Sequence, residues 1–100
     1  MIVHIRAEAE DDLEQAFDYY ESQRPGLGQE FLDEYVRGTR EVASYPTRWQ
    51  REPGTTNARR YRLNRFPYAL IYQVKDAAST IVAVVHLHRK PGFWRNRLEP

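Results

Sequence analysis

Two histidines near the end of the chain have side chains that could do chemistry. His86 and His88 stand two residues apart, which places both on one face of a strand at a spacing that zinc could use. Histidine also transfers protons near neutral pH. The chain has no cysteine, His4 is its third histidine, and no carboxylate is close to the pair in sequence. We therefore expect no metal site, and we expect hydrogen bonding or packing from this pair, with acid–base catalysis as the alternative.

Arginines form the second set of reactive side chains, and they favour contact with an anion. Residues 1–44 hold eleven acidic and four basic side chains, whereas residues 45–100 hold eleven basic and three acidic ones. Thirteen of the fifteen basic residues are arginines, whose planar guanidinium binds phosphates and carboxylates and stacks on aromatic rings. A polyanion or an acidic protein is therefore the expected ligand of the second half.

Eight residues in this half are candidates for contact with a partner or target. They are Arg60, Arg62, Arg65, His86, His88, Arg89, Trp94 and Arg95. The alternative for the first three is a solvated sheet face that balances the acidic half of the chain. Trp94 could stack on a nucleobase, and its alternative is a cap over the edge of the core.

Composition limits the class of protein. Hydrophobic residues make up 41% and charged residues 29% of the 100, which predicts one folded domain over residues 1–100. No apolar run approaches the roughly 18 residues that cross a bilayer. The lack of cysteine excludes a disulfide scaffold, a thiolate zinc site and a cysteine nucleophile, and it fits a cytoplasmic location.

The first half of the chain predicts a strand and two helices. Residues 2–6 alternate apolar and polar side chains, as a short strand does. A helical stripe follows at Leu13, Ala16, Phe17 and Tyr20, after a run of acidic residues suited to a helix N-terminus. Arg24-Pro25-Gly26 ends it, and a second stripe covers residues 31–43. Helices joined by so short a connection should pack as an antiparallel pair.

The second half predicts a loop at 45–58 and three strands. The period changes to two in residues 60–64, and the runs 68–74 and 81–88 are β-branched or aromatic. Turns at 65–67 and 76–79 would join them as an antiparallel meander. This order predicts an α+β fold in which the helical pair covers one sheet face and the other is open for chemistry. Pairing register, which the pattern leaves open, decides whether the arginines and histidines share a side.

These elements and two stretches of sequence resemble the RelE/ParE superfamily of bacterial type II toxins, in particular the ParE-like plasmid-stabilisation branch. The stretches are Arg-Tyr-Arg-Leu-x-x-Phe-Pro-Tyr-x-Leu-Ile-Tyr at 60–72, and His-Leu-His-Arg-Lys-Pro at 86–91 before Trp94-Arg95. The resemblance runs from Ile2 to Arg97. It implies a small antiparallel sheet packed on a helical hairpin, and a growth-inhibiting toxin that a cognate antitoxin wraps and neutralises.

The resemblance also implies two possible mechanisms. RelE-like members cleave mRNA in the ribosomal A site with basic residues and a tyrosine, whereas ParE-like members lack that set and poison DNA gyrase. Arg60 and Arg62 match two of the basic positions. Ala69 stands where an arginine is expected, His88 stands near another such position, and Trp94 stands near the catalytic tyrosine.

Chemistry favours the second mechanism. RNA cleavage needs groups that accept and donate protons, and arginine does neither well at neutral pH. We therefore expect a binding toxin that acts on gyrase without a cofactor, with promoter DNA reached only through the antitoxin. One alternative is a ribosome-dependent mRNA endonuclease with Arg60, Arg62 and His88 around the scissile phosphate. Another is an inactive relative that binds only its antitoxin.

Overall fold

The computed structural model describes residues 2–90 and 92–99, and its elements confirm the α+β class. Their order is β1 (Ile2–Ile5), α1 (Ala7–Gln23), α2 (Leu27–Ser44), β2 (Ala58–Arg62), β3 (Tyr68–Lys75), β4 (Ala78–His86) and a short 3-10 helix (Arg95–Arg97). Pro91, the last residue of the second family-like stretch, lies outside the described residues. Neither α1 nor α2 is apolar enough along its length to cross a bilayer, within the part of the chain described.

The four strands form one sheet in the order β1-β4-β3-β2. β2 and β3, and β3 and β4, pair antiparallel as the meander requires. β1 pairs with β4 in parallel, an arrangement that the predicted meander left open. The reason is topological: the helical pair and the segment 45–57 return the chain to the end of the sheet where β1 began. β2 and β4 consequently run in the direction of β1.

Two strand ends differ from the sequence expectation. β4 ends at His86, because the chain turns there and the Arg89 N–H donates to the His86 carbonyl at 3.0 Å. The predicted strand therefore does not reach His88. The turn between β3 and β4 is shorter than the expected 76–79, since only Asp76 and Ala77 separate the strands. Both have positive φ, 50° and 60°, as a two-residue type I′ hairpin turn requires.

Part of the expected loop at 45–58 is extended and lies beside β2. The Glu52 N–H donates to the Ala58 carbonyl at 2.9 Å, and the Arg60 N–H donates to the Gln50 carbonyl at 3.0 Å. Arg51 pairs with Arg59 in an antiparallel bridge that lies between these two hydrogen bonds. This part of the outer edge of β2 is thus already hydrogen-bonded.

A carboxylate and two glycines make the turn between the helices. Glu21 accepts the N–H groups of Gly26 and Gly28 at about 3 Å, so it satisfies donors at the start of α2. Gly26 has φ of 89°, a conformation that costs glycine little. A Cβ at Gly28 would stand 2.9 Å from the Phe17 carbonyl oxygen, so only glycine lets the helices approach this closely.

The helix-facing core lies between the helical pair and the sheet. It consists of Ala9, Ala16, Phe31, Tyr35, Val42, Tyr61, Leu63, Phe66, Leu70, Tyr72, Ile81 and Val84. Phe31, Phe66, Tyr20 and Tyr68 form an aromatic cluster in which five ring pairs have centroids 4.9 to 6.0 Å apart. Aromatic contacts of this kind stabilise the fold beyond their buried area.

The opposite sheet face is covered, which corrects the expectation of an open face. Residues 92–99 pack over it. Trp94 of this segment forms the tail-facing core with Ala69, Ile71, Val82, Ala83 and Val85 of the sheet. Trp94 is 2% exposed. The physical reason is visible in β3 and β4, whose runs are apolar at nearly every position and hence need burial on both sides.

Candidate functional site

The register of the sheet places the candidate arginines and histidines on opposite faces. Arg60 pairs with Ile71 and Arg62 with Ala69, and both partners belong to the tail-facing core. His86 pairs with Tyr68, whose ring packs on the helices. Directly paired residues project to the same side of a sheet. The side chains of Arg60 and Arg62 therefore project to one side of the sheet and that of His86 to the other, although Arg60 and His86 both line one small cavity at the end of β4.

The two histidines contact each other, although only His86 lies in a strand. Their ring centroids are 5.3 Å apart, and the His88 N–H donates to His86 Nδ1 at 3.0 Å. Nδ1 is thus an acceptor, which places the proton of the neutral His86 ring on Nε2. The Tyr68 ring packs edge-on at 5.0 Å. No three potential metal ligands come together among the described residues.

Arg60 and Arg62 differ in their surroundings. The Arg60 guanidinium pairs with the carboxylate of Glu52, which is 9% exposed. Arg62 is exposed and makes no ion pair with any described residue. Arg60 is therefore held in place by a buried counter-charge, whereas the guanidinium of Arg62 is available to a ligand.

A basic groove runs across this side of the sheet from the segment 49–53 to the C-terminal residues. Its larger part is a cavity of about 430 Å³ lined by Trp49, Gln50, Arg51, Glu52, Pro53, Arg60 and Arg62. Its smaller part, of about 110 Å³, shares Arg60 and is also lined by Val85, His86, Leu87, Arg89, Lys90, Phe93 and Trp94. Both cavities together are called the basic groove below. Glu52 is the one carboxylate in this lining.

The other arginine candidates bind within the protein. Arg65 donates to Glu30 at 2.7 Å, and Arg24 reaches the same carboxylate at 2.9 Å, so the pKa of Glu30 is lowered. Arg95 donates to the Pro53 carbonyl at 2.9 Å. Arg89 lies over the Phe93 ring, 3.7 Å from its centroid, in a cation–π contact beside the groove.

Trp94 packs against the core, as the alternative to stacking on a nucleobase predicts. Its ring fills the tail-facing core and is not presented to a nucleobase in this structure. Arg95 lies over it with the guanidinium carbon 5.3 Å from the ring centroid. Trp94 thus shapes the basic groove by supporting the residues around it.

A second candidate surface lies between α1 and the outer edge of β4, and the sequence interpretation missed it. β1 pairs with β4 only as far as Ile81. Beyond that point the Asp12 carboxylate accepts the Val84 N–H at 3.1 Å, and Arg97 donates to the Val82 carbonyl at 3.0 Å. The sequence carries no pattern for these contacts. The first joins two residues that are 72 positions apart, and the second joins Arg97 of the C-terminal segment to β4.

Past the contacts of Asp12 and Arg97, the outer edge of β4 does not pair with β1. Because the Val84 N–H points away from β3, the Val84 carbonyl and the His86 N–H also point outward. They face a cavity of about 230 Å³, which is called the edge groove below. Its lining is Asp12, Gln15, Ala16, Tyr19, Tyr68, Val84, His86 and Arg89. Tyr19 is 57% exposed, so its ring is available to a partner.

Comparisons with known proteins add to this geometry. A family model described as the ParE toxin of type II toxin–antitoxin system, parDE, matches residues 3–91. A solved structure titled "Chromosomal ParDE TA system from P. aeruginosa" superimposes with a TM-score of 0.71 and 18% identity. The match covers 88% of this chain and 97% of that chain. At this identity the likeness is one of fold. No curated protein sequence matches the chain.

Proposed function

The chain belongs to the ParE toxin family of type II toxin–antitoxin systems, and from this premise we propose that it inhibits DNA gyrase and is neutralised by a cognate antitoxin. Family membership supports the role of toxin. The target and the neutralising partner are what the proposal adds. Both would be met in the cytoplasm, and promoter DNA would be bound through the antitoxin.

The observation that carries the proposal is the sheet register, which directs the side chains of Arg60 and Arg62 to one side of the sheet and that of His86, which the His88 ring contacts, to the other. An RNA endonuclease needs a proton acceptor and a phosphate-binding group at the same phosphate. The resemblance implies that Ala69 stands at one position, and Trp94 near another, where a RelE-like enzyme has a catalytic side chain, and both are buried in the tail-facing core. This arrangement favours a toxin that acts by binding over the endonuclease alternative with Arg60, Arg62 and His88.

The edge groove supports the proposal of a protein partner. An extended segment could pair with the Val84 carbonyl and the His86 N–H and so continue the sheet. Tyr19 and Tyr68 would supply apolar contact area, as aromatic rings commonly do at the centre of protein interfaces. We propose that the antitoxin occupies this groove.

Target identity is tested by inducing the chain alone in bacteria and pulse-labelling DNA and protein over the first minutes. The proposal predicts that DNA synthesis stops first while translation continues. Purified protein should then inhibit supercoiling by gyrase. Protein synthesis stopping first would overturn the gyrase proposal and favour the endonuclease, in which His88→Ala should abolish most activity. Normal growth despite confirmed expression would favour the inactive relative.

The antitoxin site is tested by a pair of matched tyrosine substitutions. The partner for the assay is the small protein encoded beside this gene. Tyr19→Glu should weaken binding by tenfold or more in titration calorimetry, because it buries a charge at the groove. Tyr45 is exposed to a similar degree, 52% against 57%, but lies at the end of α2 outside the groove. Tyr45→Glu should leave binding unchanged, and equal losses in the two variants would contradict the assignment.

A further inference from the structure

We propose that the basic groove binds the phosphate backbone of a single nucleic acid strand. This activity lies beyond gyrase inhibition and antitoxin binding, although His86 and Arg89 line both the basic groove and the edge groove. The larger part of the groove has a volume of about 430 Å³, and Arg60 and Arg62 project into this side of the sheet, away from the face that His86 shares with Tyr68. Its lining combines a positive charge, arginine donors and the rings of Trp49, Phe93 and Trp94.

Charge is the first reason. The lining holds Arg51, Arg60, Arg62, Arg89 and Lys90 against the single carboxylate of Glu52. That carboxylate is already paired with Arg60, so it does not compete for the other cations. No described residue forms an ion pair with the remaining four. Unpaired cations along one groove attract a polyanion and release its counterions on binding.

Spacing is the second reason. Arg60 and Arg62 project from the same face of β2, two residues apart, which corresponds to about 6.6 Å along a strand. Successive phosphates of an extended nucleic acid strand have a comparable separation. Two guanidinium groups at this interval can each donate to a different phosphate, and the fork geometry of arginine suits both contacts.

The pairing of β2 favours a nucleic acid over an acidic peptide. A peptide bound beside a strand gains affinity from main-chain hydrogen bonds at a free edge. Here the edge at 58–60 already pairs with the segment 50–52. A nucleic acid needs no such edge, because its charge lies on every backbone unit. Trp49 and Phe93, both partly exposed, offer rings on which bases can stack at the two ends.

The test is fluorescence anisotropy with labelled twelve-nucleotide oligo(dT) and oligo(rU), measured between 50 and 200 mM salt. Arg51→Gln/Arg62→Gln is the test variant, because neither side chain has an ion pair to lose among the described residues. It should bind at least tenfold more weakly at 100 mM salt. Its slope of log K against log salt should shrink by about 1.4, since each lost phosphate contact with a single strand contributes about 0.7.

Arg40→Gln is the matched control, because Arg40 is exposed on α2, away from the groove, and the substitution removes the same kind of charge. It should bind like the unchanged protein. Absence of binding by the unchanged protein, or an equal loss in the control, would overturn the proposal. A glutamate-rich peptide that binds as tightly as the oligonucleotides would overturn it in favour of an acidic peptide. Binding to either oligonucleotide supports it, and their relative affinities tell DNA from RNA.

A duplex of the same length should bind more weakly, because paired bases cannot stack on Trp49 and Phe93. Equal affinity for the duplex would contradict the assignment to a single strand. The assay contains neither gyrase nor antitoxin, so its outcome is independent of whether the proposed function holds.

Discussion

The two faces of the sheet are covered by different means. α1 and α2 cover one face with 35 residues and an aromatic cluster of four rings. Residues 92–99 cover the other with an irregular segment whose one fully buried large side chain is Trp94. The helices make apolar contacts with the sheet at every turn. The C-terminal segment depends on the single ring of Trp94 and on a few polar contacts. Single substitutions should therefore disturb the second cover more.

Polar contacts of Arg95, Arg97 and Glu99 hold the C-terminal segment in place. Arg97 Nη1 reaches Asp12 Oδ2 on α1 at 2.7 Å. The Gln73 side chain on β3 donates to the Glu99 carbonyl at 2.8 Å and accepts the Glu99 N–H at 3.0 Å. Arg95 donates to a carbonyl of the segment 49–53. Each anchor joins the segment to a different part of the fold.

Trp94→Ala tests the comparison with the largest expected effect. It should lower the free energy of unfolding by about 3–5 kcal/mol, because it removes the ring that fills the tail-facing core and leaves a cavity. Trp49→Ala is the control, since Trp49 is only partly buried and packs against Tyr61 of the helix-facing core. Its loss should be less than half as large. Urea unfolding followed by circular dichroism measures both, and equal losses would contradict the asymmetry of the two faces.

Asp12→Asn removes the ion pair between Asp12 and Arg97. The carboxylate and the Arg97 guanidinium are 9% and 16% exposed, so the substitution leaves a largely buried cation without its counter-charge. We expect a loss of about 3 kcal/mol in the free energy of unfolding. Arg97→Gln and the double variant complete a mutant cycle, which should give a coupling of more than 1 kcal/mol. Additive losses would show that the pair contributes nothing beyond its separate contacts.

An exposed ion pair gives a comparison for the buried pair of Asp12 and Arg97. Arg24 and Glu30 are 57% and 34% exposed and are 2.9 Å apart. Arg24→Gln should cost under about 1 kcal/mol, because solvent screens the interaction. A cost equal to that of Asp12→Asn would mean that burial does not set the strength of these pairs.

Two buried tyrosines of the helix-facing side give a smaller effect. The Tyr72 hydroxyl donates to the Pro46 carbonyl at 2.7 Å, whereas the buried Tyr35 hydroxyl has no partner among the described residues. Tyr72→Phe should therefore lower the free energy of unfolding by about 1 kcal/mol. Tyr35→Phe should leave it unchanged or raise it, because an unsatisfied hydroxyl is removed. A loss on Tyr35→Phe equal to that of Tyr72→Phe would contradict this difference.

The same two side chains predict an alkaline loss of stability. Burial raises the pKa of Tyr35 and of Tyr72 to about 12 from an ordinary value of 10. The folded protein thus keeps both phenol protons at a pH where the unfolded chain loses them. The contribution is complete below pH 10 and is lost as the pH rises from 10 to 12. Replacing both tyrosines with phenylalanine should flatten the fall in urea midpoint over this window.

Local patterns predicted the elements and the family. The helical stripes, the alternation in 60–64 and the two family-like stretches depend on residues close in sequence, and the fold and the toxin family are confirmed. The same patterns placed the end of β4 two residues too far at His88, because a hydrogen bond from Arg89 decides where the strand ends. The apolar runs in β3 and β4 are of the kind that are buried on both sheet faces, a signal that the prediction of an open face did not use.

What the sequence by itself determined is therefore the α+β element order, the antiparallel meander, the charge division and the toxin family, because periodicity and charge are properties of neighbouring residues. Only the tertiary structure decided that β1 runs parallel to β4, that Arg60 and His86 lie on opposite sheet faces, and that Trp94 is covered. Register, side of the sheet and burial arise from contacts between residues far apart in the chain. Such contacts form together on folding, and a local pattern does not encode them.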